Sequence, residues 1–243
     1  NAMLFDLMKN YHQYWVNQDC IRLSQTSFLP SIQSSPFYII TRTHDRPYLF
    51  SHMRQSLTEQ VYPQSRIYHI VCTDNTASYD YVKSTLGIDY HYHLPVHKDL
   101  TNSHFHPNQY IDLIYAEIIQ ATSLDGWILV MDDDDHFLHP YVCMFLSQYL
   151  TDIHNVITWK FYRPDKYIYP LDTQHPQMGE IASCGYLYHS SQIQLGYWHQ
   201  GGQGDYPFYQ MLFDSRQERF RIFLDIYLTG VNYETSISGW SAM

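Results

Sequence analysis

Four consecutive aspartates, Asp132, Asp133, Asp134 and Asp135, follow the apolar run Trp127-Ile128-Leu129-Val130-Met131 without a spacer. The run reads as a buried strand, and a strand covered on both faces is what a parallel α/β sheet produces. Ligands of such sheets bind at the carboxyl ends of the strands, where these acids must sit. Adjacent carboxylates repel one another, so the arrangement is costly unless positive charge is held there. Oxygen-only ligands suit a hard divalent cation, Mg²⁺ or Mn²⁺, which in turn holds substrate phosphates. A solvated acidic loop is the plain alternative, and the position directly after a buried strand favours the metal-phosphate reading.

The elements that must position these acids follow from apolar spacing and turn residues. Residues 3–35 read as a helical extension closed by a Ser/Gln/Pro-rich linker, Ser31 to Pro36. Phe37 to Ile40 is a first strand ending in Thr41-Arg42-Thr43-His44-Asp45-Arg46-Pro47, and Asp45 and Pro47 signal a helix start. Tyr48 to Gln60 continues as that helix, and Pro63 stops it. Arg66 to Cys72 is a second strand, and Thr73 to Thr76 cap a helix through Tyr81, Val82 and Leu86 that Gly87 closes. A short strand from Tyr90 to Leu94 and a helix from Gln109 to Thr122 lead into the acidic strand. This alternation indicates a mostly parallel sheet wound with helices, an α/β fold.

After Pro140 the pattern changes to a helix over Tyr141 to Leu150 and short strands at Val156 to Tyr162 and Ile181 to Tyr188. Gly201-Gly202-Gln203-Gly204-Asp205 forms a loop, Tyr206 to Phe213 is helical, and Phe220 to Leu228 is a last strand. The expected organisation is an extension over 1–35 and one domain over 36–243. Its nucleotide half is 36–140 and its acceptor half 141–243.

Composition sets limits. A chain of 243 residues, 45% hydrophobic and 16% charged, can bury a core of this size. A net charge of −10 argues against a general nucleic-acid binder, which needs a basic face. The 24 tyrosines suit sugar contacts but are also ordinary core residues, so their number alone decides nothing. Cys20, Cys72, Cys143 and Cys184 form no CxxC pair, and the apolar surroundings of Cys72 and Cys143 point to buried thiols. No transmembrane stretch or signal-peptide pattern is seen, and Asn1-Ala2 ahead of Met3 reads as a tag remnant. A cytoplasmic protein is the default expectation.

Three separated features carry a resemblance to family-2 glycosyltransferases of the GT-A, Rossmann-like fold. They are Ile40 to Pro47, Gly126 to Asp135 as a DxD strand, and Gly201 to Tyr206 where that family places a catalytic acid. The resemblance spans about 36–235. It implies transfer of a sugar from a nucleotide diphosphate donor, a UDP-sugar by preference, to a saccharide or other acceptor hydroxyl with inversion. It also implies Mn²⁺ or Mg²⁺ on Asp132 and Asp134, with Asp134 the direct ligand and Asp133 turned inward beside them in the donor-binding set. By the same resemblance Asp74 reads the base, with a helix cap as its plain alternative. Thr41 and Arg46 frame base and phosphates, Asn108 lies near the donor, and Asp205 is the general base. Where the family often has Glu-Asp, this chain has Gly204-Asp205, so only the second acid carries over. Because no histidine follows His199, His189 is the expected stand-in for the family's C-terminal metal histidine. The pairs His91/His93 and His104/His106 have zinc-like spacing but no third ligand. Two other readings remain: a sugar-nucleotide nucleotidyltransferase, against which stands the absence of glycine from Thr41 to Pro47, and a non-catalytic carbohydrate- or metal-binding module.

Overall fold

The structure, a computed structural model, describes residues 2–26, 35–93, 111–112, 114–116, 124–163, 176–195 and 205–231, with side chains from residue 13 onward. Eight strands form one sheet: β1 (Phe37–Thr43), β2 (Ile67–Thr73), β3 (Tyr90–His93), β4 (Trp127–Val130), β5 (Asp135–Phe137), β6 (Val156–Tyr162), β7 (Tyr186–His189) and β8 (Arg221–Val231). Their order is β3-β2-β1-β4-β7-β6-β8-β5. The β1–β2, β2–β3, β1–β4 and β6–β8 pairs are parallel. The β4–β7, β6–β7 and β5–β8 pairs are antiparallel. The first four strands are thus the wound half expected from the sequence, and they place their carboxyl ends along one edge.

Strand alternation divides the core into two layers. Phe37, Ile39, Val71, Leu129 and Met131 face α2 (Pro47–Thr58) and α3 (Thr76–Lys83), together with Leu146 of α4 (Val142–Ser147). Tyr38, Ile40, Ile70, Ile128 and Val130 face the other way, onto Ile111, Ile114 and Phe208 and Leu212 of α5 (Asp205–Asp214). The N-terminal helix α1 (Ala2–Gln25) buries Val16 and Leu23, and its Asp19 accepts the Tyr227 N–H at 2.9 Å. That bond fixes the helix to β8.

Two turns matter for the site. Pro47 opens α2, as expected, but the residue before it is Arg46, with no side-chain cap. Asp45 has a φ of 51°, a left-handed conformation that aspartate tolerates better than most residues, and its N–H donates to Ser78 Oγ at 2.8 Å. Gly87, with a φ of 75°, turns the chain after α3.

Several boundaries differ from the sequence reading. β1 and β2 continue through Thr43 and Thr73, because their polar ends still pair in register. Ile181 to Tyr188 is not one strand: a 3₁₀ turn at Ser183–Gly185 precedes β7. β5 was not anticipated, and its three residues owe their extended form to β8. No helix among the described residues is long and apolar enough to cross a membrane.

Candidate active site

The parallel ladder between β1 and β4 continues past its last regular pair. Met131 N–H donates to Ile40 O at 2.9 Å and Asp133 N–H to Arg42 O at 3.3 Å. Alternation therefore carries into the acids and sends Asp132 and Asp133 to opposite faces of the sheet. A tight turn follows, in which Asp135 N–H donates to Asp132 O at 3.0 Å and Asp132 N–H to the Asp135 carboxylate at 2.9 Å.

Asp133 is fully buried on the α2 face. It accepts from Thr43 Oγ1 at 2.7 Å, from Arg46 Nε at 3.1 Å and from the His44 N–H at 3.4 Å, and a second Arg46 nitrogen meets its other oxygen. Burial pushes its carboxyl up to about 7, against the opposing pull of Arg46. Its carboxylate points inward and is closed off from solvent. Arg46 is no surface charge either: its side chain is 13% exposed and also lies 3.4 Å from Asp134.

Asp132 faces the opposite layer, toward α5. Arg42 grips it with Nε at 2.6 Å and a second nitrogen on the other oxygen. The fork matches a carboxylate bidentately, the strongest form of this pair. Burial works against the Arg42 charge, but Asp132, Asp205 and Asp135 outweigh it and hold the guanidinium firmly ionised. Sequence reading passed over Arg42. Its signal was present, since an arginine inside a buried strand must be paired.

Asp205, the first residue of α5, is partly exposed. Burial raises its carboxyl to about 6, with Arg42 lowering it, Asp132 raising it and the Ser183 N–H lowering it. The fold thus brings Asp132 and Asp205, which are 73 positions apart in sequence, within electrostatic reach of one guanidinium. Burial also raises Asp134 and Asp135, and neighbouring acids add to it. This excess of carboxylate over guanidinium fits a divalent cation. Among the described residues no group of three or more histidine, cysteine or acidic side chains is arranged to hold a metal ion. A magnesium-like ion needs only one or two carboxylates when substrate phosphates complete its shell, and Asp134 and the partly exposed Asp132 are the candidates for that role.

At the end of β2, Asp74 sits where expected, but its two oxygens each lie 2.8 Å from His44 Nδ1, and Asn75 donates to it at 3.1 Å. The cap of α3 is Asn75, which accepts from Ser78 N–H at 2.8 Å, so the plain cap reading of Asp74 is overturned. Thr41 lies deeper in the strand. It is fully buried, with its hydroxyl 2.9 Å from His69 Nε2. Thr43, two residues on along the same face, reaches the acids instead. Asn108 lies outside the described residues, as do His104, His106 and Gly201 to Gly204.

His189 is not at the acids. It pairs with Trp127 at the opposite end of β4, and its Nε2 lies 3.2 Å from Asp125. Five residues of strand separate it from Asp132, roughly 16 Å. His91 and His93 do share a face of β3, and both meet the Thr73 hydroxyl, at 2.9 and 3.0 Å. The four cysteines are thiols, with Cys72, Cys143 and Cys184 buried.

Comparison against protein-family models and curated proteins finds no match. Solved structures do match. The glycosyltransferase TarS of S. aureus (residues 1–349) superposes with a TM-score of 0.62 at 12% identity, over 81% of this chain and 60% of that one. Its complex with UDP-GlcNAc gives 0.61 at 13% identity, over 81% and 58%. The mannosyltransferase PcManGT from Pyrobaculum calidifontis, in complex with GDP-Man and Mn²⁺, gives 0.55 at 10% identity, over 93% and 66%. This is a glycosyltransferase fold. At such identity the likeness concerns the fold alone, and the chain spans 60% of the length of the TarS fragment and 36% of a longer TarS chain.

Proposed function

We propose that this protein transfers a sugar from a nucleoside diphosphate donor, a UDP-sugar by preference, to an acceptor hydroxyl with inversion. The observation that carries this reading is Arg42, which grips the first acid of the DxD turn and lies within electrostatic reach of Asp205. Residues 36–140 then take the donor and 141–243 the acceptor.

Asp205 accepts the proton of the acceptor hydroxyl. The hydroxyl oxygen attacks the anomeric carbon from the side opposite the diphosphate, and the bond to the diphosphate breaks with its electron pair leaving on oxygen. In-line displacement of this kind inverts the anomeric centre. Asp134, with Asp132, would hold Mn²⁺ or Mg²⁺, which supplies Lewis-acid neutralisation of the diphosphate. Arg46 keeps Asp133 and Asp134 in place through its contacts with both. The base end of the donor belongs at Asp74, whose carboxylate orients His44 and with it presents an acceptor-rich edge suited to uracil N–H.

A panel of UDP-, GDP- and ADP-sugars, incubated with and without Mn²⁺ and assayed for nucleoside diphosphate release, tests the reading. Release that depends on the ion is expected. Pyrophosphate release from a nucleoside triphosphate and a sugar 1-phosphate would instead identify a nucleotidyltransferase. No turnover with any donor, on a folded protein that binds saccharide, would identify a binding module.

A further inference from the structure

Helix α3 sends one polar side chain toward the acid turn that the proposed chemistry does not use. Tyr81 stands in its second turn, half-buried, with its ring packed at a centroid distance of 5.6 Å against Phe50 of α2. Its hydroxyl lies 2.5 Å from Thr43 Oγ1, at the end of β1. Two helices therefore hold the ring, and its oxygen reaches the strand on which the site is built.

The donors follow from the hydrogens available. Thr43 has one hydroxyl hydrogen, and Asp133 Oδ2 takes it at 2.7 Å. Only lone pairs of the Thr43 oxygen remain for Tyr81, so the phenol donates and the threonine accepts. The same Asp133 oxygen accepts from Arg46 Nε at 3.1 Å, and another Arg46 nitrogen lies 3.4 Å from Asp134 Oδ2. Phenol, threonine hydroxyl, carboxylate and guanidinium thus form one chain from α3 to the acid proposed to hold the ion.

Such a chain is directional. Each bond polarises and orients the next, so the loss of one donor is felt further along. Thr43 and Asp133 are buried, and solvent does not restore a donor withdrawn there. Without the phenol the Thr43 hydroxyl loses the bond that aims its hydrogen at Asp133. Asp133 in turn sets where the Arg46 fork stands, and Arg46 touches Asp134 directly.

We propose that Tyr81 is a positioning residue for the divalent ion. Through Thr43, Asp133 and Arg46 it holds the Asp134 carboxylate in the orientation that binds the metal and, with it, the donor diphosphate. The inference rests on the reading of Asp134 as the metal-holding acid.

Titration of the full chain with Mn²⁺ in the presence of UDP, followed by the electron paramagnetic resonance signal of free Mn²⁺, tests this, and melts in EDTA report stability separately. Tyr81→Phe keeps the ring and removes only the hydroxyl. Thr43→Val cuts the next link, and Thr43→Ser keeps it. Ser84→Ala is the control: it removes a bond to the Tyr81 carbonyl at the exposed end of α3 and leaves the chain alone. Loss of a group that directly orients a metal ligand costs about 10–100-fold in metal affinity. Tyr81 stands several links further out, so Tyr81→Phe should weaken Mn²⁺ binding about three- to tenfold. Thr43→Val should cost at least as much, and Thr43→Ser and Ser84→Ala should keep the parent affinity. Tyr81→Phe added to Thr43→Val should cost nothing more, because the chain is already cut. A Tyr81 that only supports the fold would lower the melting midpoint in EDTA and leave the Mn²⁺ affinity of the folded protein unchanged, and that result overturns the proposal. A loss that Ser84→Ala matches, or that adds in full to Thr43→Val, overturns it too. Should Thr43→Val not fold, Tyr81→Phe against Thr43→Ser and Ser84→Ala decides by the same criterion. A parent whose UDP binding is indifferent to Mn²⁺ refutes the metal reading together with the relay. A parent that needs the ion, beside a Tyr81→Phe protein that binds it at full strength, refutes the relay alone.

Discussion

Replacing Arg42 by methionine isolates the contact on which the site depends. The side chain of Asp132 would keep its charge beside Asp134, Asp135 and Asp205 but lose a bidentate partner with Nε at 2.6 Å. At an effective dielectric of about 20, a contact pair of unit charges is worth about 4 kcal/mol. Truncating one partner of a buried pair costs about 3–5 kcal/mol. Asp132 retains 25% side-chain exposure, so water compensates in part, and we expect a net loss of about 2–3 kcal/mol. For a chain of this size that lowers the melting midpoint by roughly 5–10 °C. Asp132→Asn should also destabilise, because it strands a buried guanidinium. The double variant Arg42→Met/Asp132→Asn removes both charges and should recover to within about 1 kcal/mol of the parent. Calorimetric melts of all four proteins in EDTA check this. Mn²⁺ should then stabilise Arg42→Met more than the parent, since the ion replaces the missing charge. Strictly additive losses in the double variant, or an Arg42→Met protein that melts with the parent, would refute the assignment of Arg42 as the counter-charge of the site.

Asp134→Ala should abolish most of the Mn²⁺ dependence of UDP binding measured by calorimetry; equal UDP affinity in EDTA and in Mn²⁺ for the parent would remove the metal from the proposal. Asp205→Asn should slow transfer by about 10²–10⁴ while nucleotide affinity is kept. In the parent the rate should fall as pH drops through about 6, the value to which burial raises Asp205, because only the ionised form accepts a proton. A flat profile down to pH 5 would move the base elsewhere. Asp74→Ala should reduce the preference for UDP over ADP by about 1–3 kcal/mol in thermal-shift titrations, and an unchanged preference would demote it. His136, which burial and then His52 push down to about 4, stays neutral when folded but takes a proton below about 6.5 when unfolded, so it contributes stability that is lost as pH falls through that window. Denaturant melts between pH 7 and 4.5 should therefore be less pH-dependent in His136→Asn, and identical slopes would contradict the burial argument.

The wound half was legible because its signals are local. Phe37 to Ile40 and Trp127 to Met131 are apolar runs with polar turns after them, and covering both faces of such strands leaves little choice but a parallel sheet with acids at its end. Pro47 at the start of α2 and an ordered α5 from Asp205 follow from side-chain chemistry within a few residues. The inward turn of Asp133 came only with the family resemblance, because four adjacent acids permit a one-residue shift in register that the bond from the Asp133 N–H to Arg42 O resolves.

What the sequence by itself left open depended on partners distant in the chain. Thr41 and Thr43 share a face and a chemistry, and only the packing of His69 against the first and Asp133 against the second separates them. β5 is three polar and aromatic residues with no strand signal of their own, made extended by hydrogen bonds to β8 almost a hundred residues later. His189 was the expected stand-in for the family's C-terminal metal histidine because no histidine follows His199, yet antiparallel pairing with β4 reverses its direction and carries it to the far end of the sheet. Arg42, Asp132 and Asp205 each have an ordinary local explanation as a strand residue, a turn acid and a helix start. Their meeting is decided by tertiary structure, because an electrostatic contact depends on distance in space, and composition and periodicity carry no record of that distance.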